Sequence, residues 1–365
     1  MVKLLKIGII GCSNIAKTSV IPAIKKSRNA ELIFIGSRTK KRSKEFASKF
    51  HCKNFGTYDD VLSSTNTDAV YISTPIALHE KWVLESAKAN KHVLCEKSST
   101  TSFNSAQKMV STTRKHDVRL MEALMFKFHP SHNLVKKLIK TKIGSLFSFH
   151  SQYGFPHIPR SNIRFQKNLG GGIFNDAACY PIAASRMIFE DEPIEILVSQ
   201  KIDKKSQTDT QSSIYLKFDK GQIAHGTVGY DLEYQNFYSI WGEKGFLQIS
   251  RAYNIPYNMK PKISITNHQK IISHYALPSN HFVGMIDNFT KICTNSKKIF
   301  NEEKDLLFQA LIMDYGRKSS HLNNLFNLCA RLIACPGLLN DTFLYFGPGK
   351  LTNELRLRRF IATPL

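Results

Sequence analysis

The first sixteen residues restrict the fold of this chain more than any other stretch. Lys6-Ile7-Gly8-Ile9-Ile10-Gly11-Cys12-Ser13-Asn14-Ile15-Ala16 reads as an apolar strand, a tight turn at Gly11 and a helix that starts at once. A short, continuously apolar strand of this kind suits a parallel sheet buried on both faces. The spacing is a G-x-S-x-x-A variant of the dinucleotide fingerprint, in which Gly11 permits the turn and Ala16 lets the helix pack closely on the strand. A pyrophosphate would meet the backbone N–H groups of Cys12, Ser13, Asn14 and Ile15, where the helix dipole favours negative charge. Taken alone, the motif is also compatible with an ordinary glycine turn in any α/β protein.

The alternation continues to about residue 124. Strands are expected at Leu4–Ile10, Leu32–Gly36, Ala69–Ser73, His92–Cys95 and Val118–Met121, with helices over Ile15–Ser27, Lys41–Phe50, Tyr58–Leu62, His79–Ala89 and Ser102–Lys115. This is the pattern of a doubly wound parallel sheet, a Rossmann domain over 1–124. From about residue 145 the texture changes to strand-like runs, Leu146–Tyr153, Ile194–Lys201, Ser212–Phe218, Gln222–Val228, Asn236–Trp241 and Phe246–Ser250. Gly-containing turns such as Gly242-Glu243-Lys244-Gly245 join some of them, which predicts an α+β domain over 125–320 with an open, mainly antiparallel sheet. Two helices, near His281–Cys293 and Glu302–Ser320, are expected to close it. Residues 321–365 form an extension with no functional reading.

Composition narrows the function classes. Of 365 residues, 42% are hydrophobic and 11% aromatic, enough to build packed cores and too many for a disordered chain. The net charge of +23 invites nucleic acid, an anionic membrane or a phosphorylated ligand. The excess is spread as +11, +9 and +3 over 1–124, 125–320 and 321–365. Nucleic-acid arms and membrane anchors concentrate their charge, so both are disfavoured. Seven cysteines without a CxxC pair argue against a disulfide framework or a zinc ribbon, and no metal site is expected. The amino terminus lacks a signal-peptide core, and no apolar run approaches the roughly 18 residues of a membrane span. A cytoplasmic enzyme is the expectation.

Chemistry-bearing residues cluster at the predicted strand ends. The second strand ends in Gly36-Ser37-Arg38-Thr39-Lys40-Lys41-Arg42, without the acidic residue that would take the ribose hydroxyls of NAD. Ser37 and Arg38, with Arg42 close by, suit a 2′-phosphate, so NADP is favoured over NAD. Thr74, Pro75 and His79 follow the third predicted strand, and Glu96-Lys97-Ser98 follows the next. Further on, Gly170-Gly171-Gly172 leads into a helix on which Asp176 and Tyr180, four apart, share a face. A carboxylate and a phenol beside a lysine suit proton transfer at a hydroxyl group. Each is equally readable, taken singly, as a structural residue.

In this order the pieces resemble the glucose–fructose oxidoreductase/inositol dehydrogenase/MocA family over residues 3 to about 320. The resemblance rests on the turn at Gly11–Ala16, Ser37-Arg38, Asp68–Pro75, Lys91–Lys97, Glu122-Ala123 with Phe128-His129-Pro130, Asn162-Ile163-Arg164, Gly170–Pro181 and Trp241–Gly245. It is nearest to the dihydrodiol dehydrogenases, D-xylose dehydrogenases and nucleotide-sugar 3-ketoreductases. It implies hydride transfer between NADP and a carbinol or carbonyl carbon of a sugar, nucleotide-sugar or related polyol. Lys97, Tyr180 and Asp176 match the catalytic positions, and Arg164 is placed with them among substrate contacts. Thr74, Pro75, His79, Glu96 and Lys97 are placed beside the cofactor. A homodimer or homotetramer through the second sheet is implied as well. Three departures are notable: Ser98 replaces the proline that follows the lysine, Ile76 replaces the asparagine common after Thr-Pro, and residues 321–365 match no part of the family pattern. They keep open a second reading, a catalytically silent NADP-binding sensor or regulatory partner.

Overall fold

A computed structural model describes residues 4–268, 270–295, 301–322 and 324–328. The predicted Rossmann alternation is present as six parallel strands, β1 (Leu5–Ile10), β2 (Ala30–Gly36), β3 (Asn54–Gly56), β4 (Ala69–Ile72), β5 (His92–Cys95) and β6 (Leu120–Glu122). Their order is β3-β2-β1-β4-β5-β6. The strand order reverses between the parallel neighbours β1 and β4, and the loops leaving their carboxyl ends part there to form a crevice. Ile7, Ile9, Ile10 and all of β4 are buried, as expected for a sheet covered on both faces.

Local chemistry sets the connecting helices α1 (Ile21–Lys26), α2 (Lys40–Phe50), α3 (Tyr58–Ser63), α4 (His79–Lys88) and α5 (Phe103–Lys115). Thr39 and Ser102 cap α2 and α5 through their hydroxyls, and Thr57 with Asp60 forms a capping box on α3. The helix expected at Ile15–Ser27 opens as a π-turn over Ala16–Val20 before α1 continues it.

Among the described residues the second sheet has nine strands in the order β14-β13-β12-β11-β7-β10-β9-β8-β15. They are β7 (Leu146–Gly154), β8 (Pro193–Ile202), β9 (Asp209–Phe218), β10 (Ile223–Gly229), β11 (Gln235–Gly242), β12 (Gly245–Ile249), β13 (Lys262–Asn267), β14 (Lys270–Tyr275) and β15 (Phe326–Asn327). All pairs are antiparallel except β10 with β7. The turn at 242–245 closes the β11–β12 hairpin, with Gly242 opposite Gly245. Helices α6 (Pro130–Leu138), α7 (Cys179–Phe189), α8 (His281–Thr294) and α9 (Asn301–Leu322) complete the fold. One sheet face packs inward through Phe149, Val198, Ile214, Leu216 and Tyr238, while Phe147, Leu197, Trp241 and Phe246 on the other are exposed.

β3, β13 and β14 lie outside the predicted strands. β14 is exposed along almost its whole length, so no burial pattern marks it. α9 runs to Leu322, and Phe326–Asn327 then pairs with β8. The rest of the predicted extension, 329–365, lies outside the described residues. No helix among the described residues is long and apolar enough to cross a membrane.

Candidate active site at the carboxyl edge of the parallel sheet

Gly11 leaves β1 with φ +114°, and a Cβ there would sit 2.9 Å from the carbonyl carbon of Ser73. Only glycine lets the loops after β1 and β4 approach this closely. Ser13, in place of the usual second glycine, laces them together. Its hydroxyl donates to Ser73 Oγ at 2.9 Å and accepts from the Ala16 amide at 3.1 Å, while Ser73 Oγ donates to the Gly11 carbonyl. Arg42 donates to the Cys12 carbonyl at 2.9 Å, so it braces the turn from outside. Burial pushes the Cys12 thiol up, opposed by Ser37 and Arg42. Ser37 is buried and Arg38 and Asn14 are exposed at the rim, with Ile15 half-buried.

Thr74 is buried, and its hydroxyl has no hydrogen-bond partner among the described residues. With the cradle at Gly11, this unsatisfied group fits a bound dinucleotide, because buried hydroxyls are otherwise paired. His79 is 1% exposed, with Nε2 2.8 Å from the Thr74 carbonyl and Nδ1 3.2 Å from the Ser99 carbonyl. It thereby ties the loop after β4 to the loop after β5, and burial lowers its pKa. Ile76, the apolar departure, packs at the glycine run, where a Cβ on Gly170 would lie 3.1 Å from its own Cβ.

Lys97 and Asp176, 79 residues apart, meet at this edge. Lys97 Nζ is 2.9 Å from Asp176 Oδ1 and also donates to the Asp176 carbonyl, and both side chains are only about one-seventh exposed. Oδ2 of Asp176 accepts from Arg164 Nε at 2.6 Å and from the Tyr230 hydroxyl at 3.1 Å. Burial would raise the Asp176 carboxyl, but the cations of Lys97 and Arg164 outweigh it and hold the group well below the usual carboxylate range. Burial likewise opposes the charge on Lys97, and Asp176 reverses that, raising its pKa. The Lys97–Ser98 peptide is cis, and Ser98 Oγ donates to the Asn175 carbonyl at 2.8 Å. Glu96 borders this cluster, accepting from the Tyr71 hydroxyl at 2.6 Å and from the Lys97 amide at 3.2 Å.

The glycine run allows the Asp176 segment to start where it does. Gly172 has φ +115°, and a Cβ on it would fall 2.1 Å from Asp209 Oδ1. Without that Cβ, Asp209 accepts the Phe174 amide at 2.6 Å and anchors the turn that opens the helix. Gly172→Ala is therefore expected to destabilise the fold by about 1–3 kcal/mol, from strained backbone and loss of this anchor, as read by chemical denaturation.

The helix begins as a π-turn, Phe174–Ala178, before α7, so the expected i, i+4 pairing of Asp176 and Tyr180 is modified. Their common neighbour is Lys97, whose Nζ lies 5.2 Å from the Tyr180 ring centroid while its strongest contact is Asp176. Tyr180 is 3% exposed, and its hydroxyl donates to Met125 Sδ at 3.7 Å. Phe126, Tyr153 and Tyr253 surround its ring at 5.0–5.9 Å. Burial first, then the neighbouring Tyr153, Cys179 and Glu96, push the phenol well above its ordinary value.

Tyr230, which sequence reasoning missed, completes the Asp176 site. It follows β10, where strand register offers no sign of a partner 54 residues away. Asp231 beside it accepts from Arg160 at 2.7 Å and lies 3.2 Å from His157 Nδ1, so those two loop side chains are engaged in the described state. A separate cavity of about 540 Å³, lined by Gln152, Gln211, Thr227 and Gln235, includes none of the predicted site residues. It offers no counterpart to the Lys97 cluster.

Known proteins resemble this chain across both sheets. Residues 5–124 match the model of an oxidoreductase family with an NAD-binding Rossmann fold, and residues 132–248 match the GFO/IDH/MocA C-terminal domain. The dTDP-3,4-didehydro-2,6-dideoxy-alpha-D-glucose 3-reductase of Saccharopolyspora spinosa is 30% identical over 281 residues, covering 76% of this chain and 84% of that one. The D-xylose 1-dehydrogenase (NADP(+)) 2 of Haloferax volcanii is 28% identical over 287 residues, 78% of this chain and 87% of that one. A solved 3-ketoreductase from Actinomadura kijaniata, in complex with NADP and TDP-benzene, superposes with a TM-score of 0.84 at 27% identity, covering 87% of this chain and 98% of that one. The strand order, the glycine turn and these full-length likenesses lead to one conclusion: this chain belongs to the GFO/IDH/MocA oxidoreductase family.

Proposed function

We propose that the protein is an NADP-dependent oxidoreductase that interconverts a ketone and a secondary alcohol on a sugar, with a nucleotide-activated keto-sugar as the favoured substrate. The observation that carries this reading is Lys97, its ammonium fixed by Asp176 at 2.9 Å beside the face of Tyr180, at the carboxyl edge of a Rossmann sheet. The likeness to nucleotide-sugar 3-reductases supports the substrate class, and the NADP-bound neighbour supports the cofactor. Backbone groups of Cys12, Ser13, Asn14 and Ile15 would hold the pyrophosphate, Ser37 and Arg38 the 2′-phosphate, and the Thr74–Pro75 loop with Glu96 the nicotinamide side.

The cofactor, when bound, supplies hydride to the carbonyl carbon. Lys97⁺ stabilises the negative charge that develops on the substrate oxygen, in a buried site where such stabilisation is strong. Tyr180 delivers its phenolic proton to that oxygen, and in oxidation takes it back. Asp176 keeps Lys97 charged and, with Arg164 and Tyr230, orients the sugar. The exposed face carrying Phe147, Leu197, Trp241 and Phe246 is the surface through which a homodimer or homotetramer would form.

The test is an NADPH-oxidation screen across free keto-sugars and nucleotide-activated 3-keto and 4-keto sugars. Turnover of a nucleotide-activated ketone is expected, and Arg38→Ala is expected to raise KM for NADPH about 10–100-fold, by loss of a charge-assisted bond, while NADH turnover stays unchanged. One observation favours the silent-sensor reading: the Tyr180 hydroxyl is engaged with Met125 Sδ. Multiple turnover on any sugar rejects it.

A further inference from the structure

Glu122 is a buried carboxyl for which the mechanism above has no use. It closes β6 opposite Cys95 at the end of β5, and is 8% exposed. Its Oε1 accepts the Ser99 amide at 2.7 Å, and its Oε2 has no hydrogen-bond partner among the described residues. Burial, with Asp305 adding to it, raises the carboxyl to about 7 against the opposing pull of the Ser99 amide and Lys127. A buried carboxyl is costly unless it is bonded, so its bond to the Ser99 amide is the contact that accounts for its placement.

The amide it holds belongs to the irregular segment 97–99, which has no strand or helix partner to fix it. That segment is pinned by side chains instead. Ser98 Oγ donates to the Asn175 carbonyl, His79 approaches the Ser99 carbonyl at 3.2 Å, and Glu122 takes the Ser99 N–H. The Glu122 bond is the shortest of the three. It lies two residues from Lys97, so displacing it moves the backbone from which the lysine reaches Asp176.

We propose that Glu122 is a positioning residue that, through the Ser99 amide, holds the Lys97 backbone so that Nζ meets Asp176 beside Tyr180. Its kinetic readout rests on the proposed reductase activity, whereas its structural readout does not. Glu122→Ala, Glu122→Asp and Glu122→Gln are compared with wild type. Ala removes the acceptor, Asp shortens its reach by one methylene, and Gln keeps an acceptor of the same length. Expected are kcat losses of about 10–30-fold for Ala and Asp, with KM for NADPH and sugar near wild type, and recovery to within about threefold for Gln, as for an interaction used only in the transition state. Crystal structures of the same proteins are expected to keep Lys97 Nζ on Asp176 in wild type and Gln, and to show it beyond hydrogen-bond distance in Ala and Asp. Should Ala fail to fold, Asp against Gln carries the comparison.

Unchanged kcat in the Asp variant, a Gln variant as impaired as Asp, or Lys97 unmoved in the Asp variant overturns the proposal. A wild type that turns over no sugar while Lys97 moves as described overturns the reductase reading and leaves this one standing.

Discussion

Lys97→Ala is expected to lower kcat for ketone reduction about 10²–10³-fold, the range for removing one preorganised stabiliser of a developing oxyanion. The geometry makes this a test of chemistry more than of folding. Lys97 is about one-seventh exposed, so its charge acts in a poorly screened environment. Its removal leaves Asp176 still bonded to Arg164 at 2.6 Å and to Tyr230 at 3.1 Å, so the carboxylate is not stranded. Steady-state NADPH oxidation at saturating sugar measures kcat, and quenching of protein fluorescence by NADPH measures cofactor binding, which is expected to stay near wild type. A variant with wild-type kcat removes Lys97 from the reaction.

Tyr180→Phe is expected to cost about 10²–10⁴-fold in kcat, the usual contribution of a positioned general acid. The hydroxyl contacts Met125 Sδ, a weak acceptor, and the ring contacts with Tyr153 and Tyr253 survive the substitution, so stability should change by less than about 1 kcal/mol. The direction of the phenol's shift adds a pH signature. With its pKa raised by burial and by nearby Tyr153, Cys179 and Glu96, Tyr180 stays protonated through the neutral range. Reduction, which needs the phenol, is then expected to be flat in this range as far as this group is concerned. Oxidation, which needs the phenolate, should rise with pH. In Tyr180→Phe that rise should disappear. An oxidative profile unchanged by the substitution assigns the proton to another group.

Local pattern alone did not single out either residue: the resemblance carried by the ordered motifs is what points to Lys97 and Tyr180. Neighbours along the chain showed only position, Lys97 just after a strand and Tyr180 just past a glycine run. The strands β1, β2, β4 and β5 were legible because each carries a short, mostly apolar run bounded by turn residues. β14 was not, because burial on neither face leaves no hydrophobic periodicity to detect. Tyr230 and Glu122 were not recognisable as site residues. Nothing beside Tyr230 in the sequence distinguishes it from any strand-end tyrosine, and the Glu122 bond to Ser99 spans 23 residues. The Arg38–Arg42 cluster was legible as basic, but the division of labour within it was not. Arg42 grips the Cys12 carbonyl across 30 residues, and Arg38 remains exposed.

By itself the sequence determined the two-sheet plan, the nucleotide-binding turn and the residue types from which an active site could be made. Periodicity, turn chemistry and strand-end position are properties of neighbouring residues, and side-chain sterics express them wherever the segment lies. Only the tertiary structure decided that Lys97, Asp176, Arg164 and Tyr230 share one point, that Tyr180 turns its hydroxyl to Met125, and that Glu122 holds the backbone beneath the lysine. Those contacts join segments up to 79 positions apart. Their distances depend on strand order and on the packing of the second sheet against α7, which no local pattern encodes.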